Sequence, residues 1–440
     1  MKLLKYVMPA VAAVAFMSSA AFAEHCDTGD HSHVEQDLNE KDWSALRNYI
    51  NTKRTINVQE KACNLTIAGD VRVDWRNTNE KECGARVRGR EATEDGLRVG
   101  RNDFDVEFNL YFDYYCDRGW AVAQLQFDNS AGVQNNWPCI EDEGLETENS
   151  HYQYAMHGSG VQCDVNLKKA YMGYNICCDG CTRFDVEVGR RPMYTIFDSE
   201  VQFLSRFDGI LLKYDSCFEC YGDWYVHLGG FVVDYRVNHY AFIVEAGLLN
   251  ICDWGFDFKY SFIDWEKNGR NVCGARNPVG ADFLISQFAF YYHFDPEMLC
   301  MPAKLFGAAL WNHAADTFSS PINVYDKGNF AWYVGFQAGE VVYCGDWAFK
   351  AQYQWVEAQA VPDSDMSGIG NGNVGNNTYV ATGKGNTNFK GWRVEALYAF
   401  TDNITFDLRY EWSTEIKANI AVGSGTHDYS QFKLEAIYAF

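Results

Sequence analysis

Residues 102–113, NDFDVEFNLYFD, place Phe104, Val106, Phe108, Leu110 and Phe112 on one face of an extended chain and Asp103, Asp105, Glu107 and Asn109 on the other. Alternation of this strictness marks a strand that is apolar on one side and wet on the other. It recurs at 65–75, where Val71, Val73 and Trp75 alternate with Asp70, Arg72 and Asp74. It recurs at 253–264, where Trp254, Phe256, Phe258, Tyr260 and Phe262 share a face, and again at 392–400, 404–412 and 432–440. The pattern predicts sixteen strands, over 65–75, 102–115, 119–127, 165–176, 183–191, 207–215, 223–235, 239–250, 252–264, 281–293, 302–312, 328–340, 344–357, 388–400, 402–412 and 430–440.

Half-apolar strands in such number fit two architectures. A soluble sandwich buries the apolar faces between sheets, whereas one closed sheet turns them outward to lipid and encloses water with the polar ones. Aromatic residues gathered toward strand ends favour the closed sheet. So do the connections, because an outer-membrane barrel whose N-terminus is periplasmic has short even-to-odd links and long odd-to-even ones. The links at 116–118, 177–182, 216–222, 251, 296–301, 341–343 and 401 are short, whereas those at 76–101, 128–164, 265–280, 313–327 and 358–387 are long. One odd-to-even link, 236–238, is short and breaks the rule. The expectation is an all-β transmembrane antiparallel β-barrel of about sixteen strands in a bacterial outer membrane, in contact with its lipid.

Composition narrows the field. With 37 Lys+Arg against 59 Asp+Glu the chain is too acidic to bind a phosphate backbone, which excludes a nucleic-acid partner. Residues 1–23 combine Lys2 and Lys5, an apolar stretch and Ala21-Phe22-Ala23, a tripartite export leader with a small-residue cleavage site. Beyond it no uncharged apolar run is long enough for a membrane helix, and even 240–250 is interrupted by Glu245. Residues 24–62 lie outside the strand pattern; within them 37–53 carry Trp43, Leu46 and Ile50 on a weak helical stripe, which suits a periplasmic helix or a partial lumen plug. The domain reading is therefore a leader at 1–23, a partly helical periplasmic segment at 24–62 and a barrel at 63–440.

Fifteen cysteines in an exported chain point to an oxidising compartment. On the expected topology Cys26, Cys63, Cys116, Cys177, Cys178, Cys181, Cys217, Cys220, Cys252, Cys300 and Cys344 are periplasmic, and Cys83, Cys139, Cys163 and Cys273 are external. Cys116, Cys177, Cys178, Cys181, Cys217, Cys220, Cys252, Cys300 and Cys344 sit in or beside short turns, so disulfides stapling one rim are expected. An odd number on one side leaves at least one thiol free or bonded to another chain. Two other readings stay open: a metal site from Cys177, Cys178 and Cys181 with Cys217 and Cys220, or a redox dithiol at Cys217 and Cys220.

Enzyme signatures are weak. There is no Gly-x-Ser-x-Gly elbow and no His-Glu-x-x-His motif, and His227, His239, His293 and His313 have no neighbouring serine or acid that names a triad. Gly370, Gly372 and Gly375 fit a dinucleotide-type glycine pattern but stand in a polar loop, read as flexible. Residues 363–368 begin like a calcium loop, yet the twelfth position is Val374 where a bidentate Glu is needed, so they read as a solvated acidic loop. No cofactor is expected.

Three segments carry a family resemblance. The last nine residues, 432–440 (FKLEAIYAF), resemble the C-terminal signal by which outer-membrane barrels are recognised for insertion, with Phe432, Tyr438 and Phe440 as its aromatic positions. The barrel assembly machinery is the partner this implies. Residues 170–174 (AYMGY), 184–194 (FDVEVGRRPMY) and 205–214 (SRFDGILLKY) resemble the order of strand, turn, strand ending in Gly-Arg, inward loop and return strand in general bacterial porins. The cysteine load departs from enteric porins and resembles the cysteine-rich porin-like outer-membrane proteins of Chlamydia-related bacteria. The resemblance implies a diffusion channel for small hydrophilic solutes that is also a disulfide-linked envelope component, arranged as a homotrimer. It makes 192–206 the constriction loop, with Asp198 and Glu200 as eyelet acids. Strand parity points Asp185, Glu187 and Arg191 inward, together with Arg72, Lys213, Arg393 and Arg409, so loop acids facing wall bases would set up a transverse field. The competing expectations are a structural or adhesive coat barrel with a blocked lumen and an outer-membrane barrel hydrolase.

Overall fold

The computed structural model describes residues 56–60, 63–82, 85–88, 102–130, 165–218, 221–234, 239–265, 282–295, 299–319, 324–325, 327–362, 365–373, 387–417 and 427–440. The expected leader, the 37–53 helix, Cys220 and the four external cysteines lie outside the described residues.

Sixteen long antiparallel strands form one closed sheet. They are β1 (Cys63–Glu82), β2 (Asn102–Cys116), β3 (Gly119–Ser130), β4 (Val165–Asp179), β5 (Thr182–Pro192), β6 (Arg206–Phe218), β7 (Gly222–Asp234) and β8 (His239–Leu249). The second half comprises β9 (Phe256–Trp265), β10 (Phe283–Phe294), β11 (Ala303–Asn312), β12 (Phe330–Gly339), β13 (Trp347–Val356), β14 (Phe389–Ala399), β15 (Ile404–Glu415) and β16 (His427–Ala439). Each strand pairs with its sequence neighbours, and β16 returns to β1 with Tyr438 opposite Val71 and Phe432 opposite Asn77. Closure satisfies every strand edge, which a sheet in hydrocarbon requires.

Outward positions carry Trp75, Phe104, Tyr114, Phe258, Phe288, Trp311, Trp347, Trp392 and Trp412, all exposed, while the alternate residues Asp70, Asn109, Asp185, Glu187, Gln287 and Glu395 are buried inside. The apolar exterior with an enclosed polar interior is a membrane barrel, the inverse of a soluble fold. The terminal residue completes the seam: Phe440 exchanges backbone hydrogen bonds with Gly69 at 3.1 and 3.0 Å. Its ring occupies the space of a Gly69 Cβ, which would lie 2.6 Å away.

Several strand ends differ from expectation for local reasons. The ninth strand begins at Phe256 rather than 252 because Asn250, Cys252 and Asp253 adopt φ of 50°, 51° and 61°, which no strand tolerates. The thirteenth begins at Trp347, after a turn in which the Asp346 carboxylate accepts from the N–H groups of Val342 and Tyr343. The first runs on to Glu82, past the last apolar alternation at Trp75, because its upper part pairs with β16 in a region where Glu80 meets His427 rather than lipid. The sheet also gains a short strand, Ile56–Glu60, on the edge of β1 at Cys63–Ile67.

Candidate functional site

Among the described residues the strand parity encloses a polar lumen, and its wall is of two kinds. From β14 through the seam to β5 the inward side chains are mainly charged or polar, interrupted by Phe389 and Leu397 on β14, Ile437 on β16 and a patch of Tyr115, Trp120, Val122 and Tyr171 on β2–β4. Arg393 bridges Glu395 at 2.6 Å and Glu411 at 3.9 Å, and Arg409 reaches Glu395 at 2.8 Å. Arg72 donates to Asp70 at 2.7 Å, and that carboxylate also accepts from Asn109 and Tyr111. On β5, Glu187 holds both Arg191 and Lys213, and Asp185 holds Arg183 at 2.6 Å. Acids and bases thus alternate along this wall in short ion pairs.

On β6–β13 the wall changes character along its height. The ends near the short turns are polar, with Asp223, Asp257, Lys304 and Gln337 buried there, whereas the ends near the long loops present Leu211, Phe231, Ile243, Ile263, Ile285, Leu310 and Val356. Apolar residues facing a water-filled bore would be costly, and here they are covered. The segment 193–205 folds inward after β5 and packs Met193, Phe197, Val201 and Phe203 on them, all at 1% exposure or less. A second inward stretch, described over 357–362 and 365–373, adds Ala360, Val361, Met366 and Ile369 to the same cluster.

The two segments are tied to each other. Asp365 accepts from the N–H groups of Phe203 and Ser205, both at 2.9 Å, and Ser367 N–H donates to the Val201 carbonyl. Gly368 approaches so closely that a Cβ would lie 2.5 Å from the Glu200 carbonyl oxygen, at a φ of 67° that favours glycine. Phe203 is itself left-handed, at φ 75°, a cost of about 1–2 kcal/mol that ring burial and the Asp365 contact offset. The acidic loop expected to be solvated is therefore an interior strut: Asp365 is fully buried, and Gly370, read as flexible, is buried beside it.

The expected eyelet acids lie on this inward segment but turn toward the wall. Asp198 accepts from Lys259 at 2.8 Å and Tyr291 at 2.5 Å, and its own N–H donates to Glu245. Glu200 accepts from Lys350 at 2.8 Å, while Gln354 and Gln287 donate to the carbonyls of Glu200 and Asp198. Arg72, Lys213, Arg393 and Arg409 do point inward as parity required, yet none is among these partners; all four engage acids of their own or the next strand. The acids' partners, Lys259 and Lys350, escaped the sequence reading. Each is a single base on the wet face of its strand, and above Lys259 that face turns apolar at Ile263, a mismatch that was the available signal there.

At the short-turn rim Cys181 and Cys217 form a disulfide with Cα atoms 5.8 Å apart, which uses one ligand from each half of the metal reading and one thiol of the proposed dithiol. Cys116 and Cys178 are also disulfide-bonded. Cys177, Cys252, Cys300 and Cys344, expected to staple neighbouring turns, are instead free and exposed. The Cys181–Cys217 bridge joins the β4–β5 turn to the end of β6 beside the next short turn, so one staple of the expected kind is present at this rim. Of the insertion-signal positions, Tyr438 and Phe440 are exposed on the outer face, and Phe432 meets Trp75 edge-on at 5.8 Å.

A model of a family described as "Putative porin" matches residues 283–436, the last seven strands. No curated protein matches the sequence. Among solved structures the chain is similar to Salmonella typhi OmpF in complex with daunomycin, at 12% identity over 88% of this chain and 100% of that one, TM-score 0.47. It is similar to Pseudomonas putida OprB at 10% identity over 85% and 94%, TM-score 0.45. It is also similar to the outer membrane channel DcaP of Acinetobacter baumannii at 11% identity over 87% and 99%, TM-score 0.42. None of these likenesses says what crosses this barrel. The matched family and the barrel itself point to a channel rather than an enzyme. With its closed sheet, lipid-facing aromatic exterior and charged interior, the chain is a porin-like barrel of the bacterial outer membrane.

Proposed function

We propose that the chain is a passive diffusion channel for small hydrophilic solutes. The observation that carries this reading is the run of paired charges on the inward wall from β14 to β5, Arg72 with Asp70 and Arg393 and Arg409 with Glu395, which lies mostly outside the apolar cluster built by the two inward segments. A wall of paired charges keeps water in the bore and replaces part of a solute's hydration shell as it passes. Acids outnumber bases among its described residues, which favours cations. Asp198 and Glu200 act as anchors that hold the constriction segment by its lower edge, so the field across the bore comes from the wall pairs at Arg72, Arg393 and Arg409. Recording from purified protein in planar bilayers tests the reading: ohmic steps with a cation-selective reversal potential are expected, and a silent membrane overturns it.

One observation favours the alternative of a blocked coat barrel, namely the tight packing of 193–205 and 357–373 inside the lumen; the same recording separates the two. The finer envelope role follows from the rim. Four exposed thiols on separate periplasmic turns are placed to bond other proteins rather than each other, as the resemblance to cysteine-rich porins implies. Non-reducing electrophoresis of whole envelopes is expected to show ladders that collapse on reduction and on combined Ser replacement of Cys177, Cys252, Cys300 and Cys344. Homotrimeric assembly, and recognition of 432–440 by the assembly machinery, belong to the same reading.

A further inference from the structure

The outer face of β10 reads Leu284, Ser286, Phe288, Phe290 and Tyr292, one hydroxyl-bearing aliphatic position in an otherwise apolar and aromatic row. Strand pairing sets that hydroxyl between two partners from the neighbouring strands. Ser286 Oγ lies 2.8 Å from Nε2 of His313, just past the end of β11, and 3.0 Å from the hydroxyl of Tyr260 on β9. The serine and the histidine are 27 residues apart along the chain, so no local motif announces the pair.

The turn that carries the imidazole is braced. His313 N–H donates to the Leu284 carbonyl at 2.8 Å, and Asn312 Oδ1 accepts from the N–H groups of Leu284 and Ala314. Asn312 Nδ2 in turn donates to the carbonyls of Asp282 and Gln359. The backbone thus fixes where the ring stands, as a preorganised base requires. Tyr260 and His313 are exposed and Ser286 is half-buried, all on the side of the wall that meets lipid. Ser286 is the register partner of Trp311, an exposed ring at the long-loop end of its strand. Outward rings at strand ends mark the boundary between lipid and water. At that depth acyl chains are joined to their headgroups by ester bonds, and water is at hand.

We infer that Ser286 and His313 form a second functional site, a nucleophile and base on the outer face that cleave fatty-acyl esters of membrane lipids. With the Tyr260 hydroxyl donating to Oγ, the serine's own proton is directed at Nε2, the order an activated nucleophile needs. His313 Nε2 takes that proton as Oγ bonds to the ester carbonyl carbon; the bond from that carbon to the alcohol oxygen breaks, and the alcohol leaves with the proton. Water then attacks the acyl-serine, passes a proton to Nε2 and on to Oγ, and the fatty acid is released beside the deacylated lipid. The Tyr260 hydroxyl, next to the attacking oxygen, is the donor placed for the charge that develops on the carbonyl oxygen. The site faces away from the lumen, so it is independent of conduction.

The test reconstitutes the full chain in two sets of vesicles with labelled acyl chains, one of diacyl glycerophospholipid alone and one that also carries an ester-acylated glucosamine glycolipid. A long-chain fluorophosphonate, which marks activated serines, is applied in parallel and located by mass spectrometry. Fatty-acid release from at least one set is expected, which identifies the lipid source, with the label on Ser286. Ser286→Ala should abolish both signals, His313→Gln should slow release by about 10²–10⁴-fold, and Tyr260→Phe by about 10²-fold. Heat-dependent electrophoretic mobility confirms the folded barrel in each variant, and the labelling of wild type needs no variant. No release from either set, release that survives Ser286→Ala, or a label confined to other residues overturns the proposal and leaves Tyr260, Ser286 and His313 as a packing contact.

Discussion

The two sides of the inner wall solve the problem of a wide barrel differently. From β14 to β5, charges such as Arg393 with Glu395 and Arg72 with Asp70 neutralise each other in place and need no cover. From β6 to β13 the upper wall is apolar, and residues such as Leu211, Phe231 and Ile285 are stable only because 193–205 and 357–373 lie on them. The filling is therefore lopsided: it lies mainly on the β6–β13 side and meets the other wall at contacts such as Asn373 with Ser413. The lower border of the filling is also its attachment, through Lys259–Asp198 and Lys350–Glu200.

If that division is right, mutations on the two sides have different consequences. Phe203→Ala removes a fully buried ring from the filling and should cost about 4 kcal/mol of local stability. Cleavage within 193–205 by added protease and a larger, noisier conductance are the expected readouts; unchanged resistance and noise break the comparison. Lys350→Met strands the Glu200 carboxylate without its cation and should loosen the same segment by about 3 kcal/mol, whereas Arg72→Gln on the opposite wall should leave protease resistance unaltered. Asp365→Asn weakens the strut between the inward segments by about 2 kcal/mol, seen as increased open-channel noise at unchanged selectivity. Arg393→Gln acts in the reverse sense: it should shift the reversal potential toward stronger cation preference without changing noise.

The smallest effect lies outside the membrane. Burial, followed by the nearby Asp346, raises the Glu340 carboxyl from 4.5 to about 7. A proton held more tightly folded than unfolded makes this group neutral in effect below pH 4.5. It becomes increasingly costly as pH climbs through about 7, and carries its full cost above that. Glu340→Gln should thus raise the denaturation midpoint at pH 8 and leave it unaltered at pH 4; equal shifts at both would break the assignment.

The strands were legible because lipid outside and water inside impose a period of two on each one, visible in 102–113 without any partner. Turns hid their ends where the cause was backbone geometry, as at Asn250 and Cys252, or a capping acid, as at Asp346. The inward placement of 193–205 was legible only through the resemblance of 184–194 to porins. The companion segment carried no signal, because an acid such as Asp365 in a polar, glycine-rich stretch looks the same whether solvated or holding two buried N–H groups. The rim thiols were legible as a cluster, but their pairing depends on which turns adjoin.

By itself the sequence determined which side chains point inward, since alternation is a property of the extended chain and survives any arrangement of the strands. What the inward side chains face was decided by tertiary structure alone. Phe203 and Asp365 are far apart along the chain and meet only once the barrel has closed around them, so no local pattern distinguishes the inner surface that is filled from the one left to water.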